Sequence, residues 1–531
     1  MGTAARPVII AGAGPVGLTT ALLLARHKVP VVILEARTGP NTEGSRAIAF
    51  QRDVFDIFDR AGCAGRILAH ATPWGTGRTY YRGQELRAVT YPDPGDSPFP
   101  PWANISQTEV EAALRDRAAR EPLIELRWGE PVADATISPD GVLVDTGTRV
   151  LAGSHLIGAD GAHSTVRDVA GIGFEGRSYP DRFLIVDLRA DLPFPRERRF
   201  HFDPPFHPGR QVLIHQCPEE TWRVDWQVEP GFDLAADRAS GRFDQRVRAV
   251  IGDRPYEVRW ASVYHVEQRL APSFARDRVV FLAGDAAHRF IPHGARGLNS
   301  GLQDADNLAW KLALTWHGQA PAALLDSYHA ERHPAALENL RVTNGTLRFL
   351  IPQTVADRQH AHDTLERALT DPAARDAVNS GNQAEPYWYL HSPLTTPPDH
   401  PGAFDERPLA ARPPVPGVLC PDAPCQAGGR PTRLRQLIGT GFLLLLADPA
   451  RLTEARHAAG PATRVHALPH LDDDGRIAAL LSATPGSAHL IRPDGHIAAV
   501  LPTADTEQIT AAIHRACGAP QFTESEGQPG R

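Results

Sequence analysis

Cysteine is scarce in this chain: five in 531 residues, at positions 63, 217, 420, 425 and 517. They are too few and too scattered for a disulfide framework and point to a reducing compartment, with the cytoplasm as the expected location. No C-x-x-C pair occurs, which excludes a thioredoxin-type dithiol. Cys420 and Cys425 enclose P-D-A-P with no second Cys or His pair near them in sequence, so no metal site is expected. An excess of positive charge is missing too. Lys and Arg total 55 against 62 Asp and Glu, a net charge of -7, which argues against nucleic acid as a partner. No internal repeat of fixed period is present. The one long uncharged run, Pro7–Ala25, approaches the length of a membrane span. Its three glycines and its second proline sit where a strand would turn into a helix, so no membrane partner is expected.

What remains is an ordinary globular composition, 42% hydrophobic and 22% charged, long enough for about three domains at roughly 150 residues each. The first 35 residues read as a βαβ unit: strand Val8–Ala11, turn Gly12–Gly17, helix Leu18–Arg26, strand Val31–Glu35. In G-A-G-P-V-G, Gly12 permits the tight turn, Gly14 lets backbone approach a pyrophosphate and Gly17 lets the helix pack closely on the strand. Glu35 ends the next strand, where a carboxylate can accept both ribose hydroxyls of an adenosine. The helix start offers free N–H groups and a positive dipole end to phosphate. The unit therefore points to a bound dinucleotide.

Further on, Ser106 and Glu109 suggest a capping box opening a helix over 106–120. Leu151–Ile157 reads as one buried strand running into G-A-D-G. From 182 to 266 the pattern changes to short alternating segments. In W-R-V-D-W-Q-V, Trp222, Val224, Trp226 and Val228 face one way, and Arg223, Asp225 and Gln227 the other. This predicts a half-buried antiparallel sheet inserted into the first domain. Arg278–Ala283 is another buried strand, Asp304–Thr315 a strong helix, and further helices follow to about 375. Pro393–Pro431 is Pro- and Gly-rich. Beyond it lie a strand at Gly441–Leu446 and a hairpin around Pro493, Asp494 and Gly495.

Two more motifs leave apolar strands directly: G-A-D-G at 158–161, continuing to Arg167, and G-D-A-A-H at 284–288, continuing through I-P-H-G-A-R-G-L-N-S-G. An acid-bearing turn at such a place can touch a ligand lying across the strand ends. With the Gly12 turn, in this order, they resemble the flavoprotein aromatic hydroxylases, the single-component FAD monooxygenases of the 4-hydroxybenzoate hydroxylase type. The likeness runs through residues 1 to about 370. The C-terminal part is similar to the thioredoxin-like extension of the phenol hydroxylase and 3-(3-hydroxyphenyl)propionate hydroxylase branch.

The resemblance implies an α/β chain with a Rossmann-like FAD-binding domain from 1–78, 104–180 and 271–395, the last with a helical segment. An antiparallel β-sheet substrate domain from 79–103 and 181–270 is inserted in it. A linker over 396–430 and a thioredoxin-like α/β domain over 431–531 complete the chain. By the same resemblance Gly12, Gly14 and Gly17 cradle the FAD pyrophosphate, Glu35 holds the adenosine ribose, Arg46 lies near the phosphates and Gln107 near the flavin. Asp160, Gly161 and Arg167 belong to the motif used for FAD and the nicotinamide cofactor. Gly284 and Asp285 meet the ribitol or a phosphate edge. Pro292, Gly294, Gly297, Leu298 and Asn299 form the loop beside the isoalloxazine ring. Ala295 and Arg296 stand where many relatives carry Gly-Gln, so Arg296 either assists an anion beside the flavin or points to solvent.

The implied activity is hydroxylation of an aromatic, phenolic substrate with O2 and NAD(P)H through a flavin C4a-hydroperoxide. NAD(P)H binds transiently, since a second dinucleotide fingerprint is absent. The expected partners are that small aromatic and O2, with a homodimer left open. The first alternative is a tailoring oxidoreductase on a polycyclic or tethered substrate, by epoxidation, Baeyer-Villiger insertion or decarboxylating hydroxylation. No W-x-W-x-I-P segment of the halogenase kind is present. A flavin-binding scaffold without activity is opposed by intact Gly12, Glu35, Asp160 and Asp285. Tyr80, His201, His215, Asp225, Tyr264 and His265 are candidates for a base, and nothing in the sequence selects among them.

Overall fold

Apolar strands that lie far apart in sequence meet in one sheet. The computed structural model describes residues 6–42, 44, 47–93, 95, 97–397, 404, 412–472 and 474–519. Its first sheet has six strands in the order Ala275–Arg276, Val280–Leu282, His155–Gly158, Val8–Ala11, Val31–Glu35, Ile124–Trp128. All neighbours are parallel except the first pair. The inner strands are buried on both faces, which is why they read as unbroken apolar runs. Val8–Ala11 pairs with Val31–Glu35 on one side and with His155–Gly158 on the other. The chain thus reverses its strand order there and leaves a crevice beyond the carboxyl ends.

Pro7–Ala25 is strand and helix, and no helix among the described residues is long and apolar enough to cross a membrane. The helix begins at Pro15, three residues earlier than the pattern suggested, because proline presets φ for the first helical position and lacks only an N–H that would go unused. Gly17 therefore lies inside the helix. The 151–157 run divides at Ser154. Val150–Gly153 joins a small three-stranded sheet and His155–Gly158 joins the main one. Ser106 is the N-cap of Gln107–Ala118, but its hydroxyl pairs with Thr108 Oγ1 at 2.7 Å and no capping bond forms. A neighbouring hydroxyl has outcompeted the backbone. The helix expected from Asp304 starts at Arg296 and runs to Trp316.

A second sheet of eight strands runs in the order His288–Arg289, Glu257–Leu270, Glu175–Arg189, Thr221–Val228, Gln211–Gln216, Arg198–Phe202, Thr76–Tyr81, Gln84–Thr90. It is antiparallel except where Arg198–Phe202 runs parallel to Thr76–Tyr81. Trp222, Val224, Trp226 and Val228 pack with Leu184, Val186 and Val212 on one face, under Phe243 and Val247 of helix Arg242–Ile251. The opposite, polar face is not solvated. Arg223 is 1% exposed, because this face looks across a cavity at the first sheet.

The C-terminal part is a thioredoxin-like α/β domain. Leu443–Leu446 lies between Arg464–Ala467, parallel, and Ala488–Ile491, antiparallel, with Ile497–Leu501 at the edge. In the Pro- and Gly-rich stretch before it, Pro424–Ala427 and Arg430–Arg433 form a hairpin whose turn, Gly428 and Gly429, has positive φ at both residues. Trp310 and Leu314 of helix Arg296–Trp316 share one core with Phe442, Leu444 and Leu490 of this domain. Burial of a side chain of Trp310's size is worth about 2–3 kcal/mol. The junction also carries buried charge. Asp53 is bound by Arg412 at 2.7 Å and Arg435 at 2.9 Å, and Glu331 by Arg492 at 2.5 Å.

Candidate active site

Between the two sheets lies a continuous cavity of about 780 Å³. It begins at the Gly12 turn and ends at the polar face of the second sheet. Gly12, with φ of +100°, turns the chain off the first strand; a Cβ there would strike the backbone of Ala159. A Cβ at Gly17 would overlap the carbonyl oxygen of Gly12. Gly14 differs: a Cβ there would meet nothing within 4 Å, and the space it would fill is the cavity. The N–H groups of the first turn of helix Pro15–Arg26 open there without a side-chain cap. That combination fits a pyrophosphate.

Glu35 closes this end. Its Oε2 accepts from Ala13 N at 2.7 Å and its Oε1 from Arg37 Nε at 3.0 Å. Burial pushes its carboxyl up, and the bonds from Arg37 and Ala13 more than offset that, leaving it lowered. It is thus an anion at neutral pH, able to accept hydroxyl donors. Gln107 also lines the cavity; its Nε2 donates to Glu111 Oε1 at 2.8 Å. Arg46 lies outside the described residues.

Asp160 accepts from Ser164 Oγ at 2.5 Å and from Val166 N at 3.1 Å, which holds the G-A-D-G turn against the short helix Thr165–Val169. Gly161 lines the cavity beside it. Arg167 does not line it. Its guanidinium donates to the carbonyls of Ala162 and Ala286, both at 3.1 Å, so it ties the second motif to the third. Gly284, with φ of +63°, sets up the turn that presents Asp285 to the cavity.

Pro292, Gly294, Gly297, Leu298 and Asn299 form the far stretch of wall, at the N-terminus of helix Arg296–Trp316. Asn299 Oδ1 accepts from Gln51 N at 3.1 Å and its Nδ2 donates to Ala49 O at 2.9 Å, stitching the helix to a neighbouring strand. Arg296 does not point to solvent. It is buried, donating to Asn339 Oδ1 at 2.6 Å and Asn382 O at 3.2 Å.

Sequence reasoning missed the group that holds the third motif in place. Asp304, fully buried, accepts from Gly284 N at 2.9 Å, from His288 Nε2 at 2.6 Å and from Arg332 Nε at 2.6 Å. Its position inside the 284–313 stretch was visible, but its partner Arg332 is 28 residues on. Burial pushes its carboxyl up; His288, Arg332 and the Gly284 N–H outweigh that and lower it to about 2. The sign follows. Its stabilisation is fully present above about pH 4 and is lost as pH falls toward 2, an amount on the order of 2 kcal/mol. Asp304→Asn should cost about 3–5 kcal/mol at neutral pH by leaving Arg332 unpaired. It should also flatten the stability curve between pH 4 and 2, as followed by tryptophan fluorescence. An unchanged acid limb would contradict this.

Of the six candidate bases, the structure brings His215, Asp225 and Tyr264 to the cavity wall. Tyr80 and His201 stack on each other with ring centroids 4.6 Å apart and do not line it. His265 is exposed and lines only a smaller adjoining cavity.

The glycine turn, the acidic strand end and the crevice at the sheet's switch point define a dinucleotide-binding protein of the Rossmann type. Residues 5–343 match the family described as FAD binding domain, and residues 413–520 the one described as aromatic-ring hydroxylase, C-terminal. The chain belongs to the flavoprotein aromatic hydroxylases, FAD-binding monooxygenases. Among its relatives, 6-methylpretetramide 4-monooxygenase of Streptomyces rimosus is 30% identical over 98% of this chain and 96% of that protein. A 3-(3-hydroxy-phenyl)propionate/3-hydroxycinnamic acid hydroxylase of Mycobacterium sp. (strain JLS) is 32% identical over 64% of this chain and 59% of its own length. The solved structure of the flavin-dependent monooxygenase PieE with FAD and substrate matches with a TM-score of 0.82 at 26% identity, covering 97% of this chain and 99% of that one.

Proposed function

We propose that this enzyme uses NAD(P)H and O2 to hydroxylate a phenolic aromatic substrate of several fused rings. One observation carries the reading: the cavity that begins at Gly14 ends on a buried face bearing Arg198, His215 and Asp225, so a ligand bound along the first sheet meets polar side chains where its reacting end would lie. Near-complete coverage of both chains in the match to 6-methylpretetramide 4-monooxygenase supports a multi-ring substrate over a single-ring one.

Bound FAD would supply the activation of O2 and the transfer of one oxygen atom. Gly14, the helix start behind it, Glu35 and Asp285 would hold the phosphate and ribose portions, with Gln107 near the flavin. Pro292, Gly294 and Gly297 to Asn299 would flank the ring system, and the positive end of helix Arg296–Trp316 would favour negative charge there. Ile185, Leu213 and Ile291 contribute apolar wall that keeps water from the reacting atoms. An adjoining cavity of about 240 Å³ shares His163, Tyr264 and Arg289 with the main one. It lies beside the G-A-D-G turn and suits transient docking of the nicotinamide. Unpaired thiols at Cys63, Cys217, Cys420, Cys425 and Cys517 support a reducing, cytoplasmic setting.

The purified protein should be yellow, and NAD(P)H oxidation should accelerate on adding a suitable hydroxylated anthraquinone or naphthacene. With 18O2, mass spectrometry should find one labelled atom per product molecule. A screen across fused-ring phenols that finds no stimulation would overturn the substrate class.

A further inference from the structure

We propose that Asp225 is the proton acceptor for the substrate's phenolic hydroxyl and that Arg198 receives the resulting oxyanion. This rests on the phenolic reading above.

The face toward the cavity carries polar groups from four strands in register. Arg198 stands opposite His215, His215 opposite Arg223, and Leu213 opposite Asp225. Most of these groups are already engaged. Arg223 forms a two-pronged ion pair with Asp187 at 2.7 and 2.6 Å. Gln227 donates to Asp181 at 3.0 Å. Tyr264 donates to Phe290 O at 3.4 Å. Asp225 and His215 are not: among the described residues the buried Oδ1 of Asp225 and Nδ1 of His215 have no hydrogen-bond partner, and both residues border the cavity. Such a group is costly to retain unless a ligand satisfies it.

Arg198 is the complementary oddity. It is 5% exposed and forms no ion pair among the described residues; its Nη2 donates to the carbonyl of Ser380 at 2.6 Å, and its guanidinium lies 5.2 Å from the ring centre of Phe200. A buried guanidinium without a carboxylate partner invites an anion. Arg198 and Asp225 sit two strands and two residues apart in register, about 12 Å between backbones, and the long Arg198 side chain brings an oxygen placed between them within reach of both.

His215 is the competing base, and its surroundings disfavour it. Burial, then Arg198 and Arg223, hold its ring well below the usual histidine range, so it resists taking a proton. For Asp225, burial pushes the carboxyl up, Arg223 pulls it down, Asp187 pushes it up and Arg198 pulls it down, leaving it at about 7. The other titratable and charged groups here are His215 and Tyr264 on the same face, Tyr91 near Arg198, Cys217 near Asp225, and His293 and Arg296 beyond the cavity. A base poised near neutrality is suited to accept a proton from a phenol. The step is a simple transfer. The substrate O–H bond breaks, an O–H bond forms on Asp225, and the electron pair stays on the substrate oxygen beside Arg198.

The test uses the full-length FAD-loaded protein and alizarin, a fused-ring phenol whose visible spectrum changes on ionisation. At about pH 8, where the Asp225 carboxyl is ionised before binding, calorimetry in buffers of differing ionisation enthalpy should show wild type taking up about one proton more per dye molecule bound than Asp225→Asn, because the carboxyl holds a proton beside the bound phenolate. Asp225→Glu should restore that uptake, and Arg198→Gln should raise the midpoint of the bound dye's ionisation by about one pH unit or more, a tenfold change in proton affinity. Loss of dye binding in Asp225→Asn alone, with Asp225→Glu binding normally, would also support the assignment. Proton uptake in Asp225→Asn equal to that of wild type, with the dye bound, overturns it. Failure of yellow wild-type protein to bind alizarin at all would instead sink the fused-ring phenol reading, and this proposal with it.

Discussion

Gly14→Val should purify as a folded but colourless protein, with FAD affinity lowered about 100-fold or more, whereas Gly17→Val should scarcely fold. The sequence assigns both glycines to one motif; their surroundings divide them. At Gly14 the backbone is extended, with φ of -75° and ψ of 178°, which any residue adopts, and nothing lies within 4 Å of where a Cβ would stand. A valine there disturbs no protein atom and fills space that a pyrophosphate needs, so about 3 kcal/mol of binding is lost while the fold is not. At Gly17 the added carbon would run into the carbonyl oxygen of Gly12, in the tightest part of the turn. Backbone cannot yield there as a flexible side chain could, so the cost is about 3 kcal/mol or more. Circular dichroism and flavin absorbance of the two variants separate the roles. A yellow Gly14→Val protein would show that the pyrophosphate does not pass this turn.

Arg492→Met should lower stability by about 3–5 kcal/mol and loosen the C-terminal domain before flavin is lost. Arg492 sits at the turn of the hairpin expected from Pro493, Asp494 and Gly495. It is fully buried, with one arm on Glu331 Oε1 at 2.5 Å and another on Glu331 Oε2 at 2.9 Å, and it also pairs with Asp494. Lys311 Nζ reaches the same Glu331 at 2.7 Å, and Trp310 Nε1 donates to Asp494 Oδ2 at 3.1 Å. Removing the guanidinium leaves Asp494 buried without a cationic partner of comparable reach. Arg492→Lys should recover only part of the loss, since an ammonium cannot grip two carboxylates with a planar fork. Thermal unfolding followed separately by far-UV circular dichroism and flavin release would show the order of events. Unchanged melting of Arg492→Met would mean that this junction contributes nothing.

The two variants mark where sequence reading stops. Local chemistry was legible wherever it is local. The Gly12 turn, Glu35 at a strand end, and the acid-bearing turns at Asp160 and Asp285 each depend on a few consecutive residues leaving an apolar strand, and each lines the cavity. Two long-range bonds were not legible. Arg167, seen as part of a cofactor motif, is bonded to the carbonyl of Ala286 across 119 residues of sequence. The hairpin at Asp494, with the turn residues of a surface loop, is driven inward by Arg492 and held by Glu331, 161 residues away. Neither bond has a sequence signature, because neither partner sits at a fixed spacing from the other.

By itself, the order and spacing of its residues determined a dinucleotide-binding unit and the alternation of W-R-V-D-W-Q-V, and the motifs' resemblance to a family implied FAD. Period-two patterning decides which residues share a face of a strand whatever the strand pairs with. It does not decide what that face looks at. Only the tertiary structure turned the polar side of the second sheet from a water-facing surface into a wall opposite the first, burying Arg198 and the Oδ1 of Asp225. Alternation is set by the chain's own geometry, whereas the dielectric around a side chain is set by whatever folds over it.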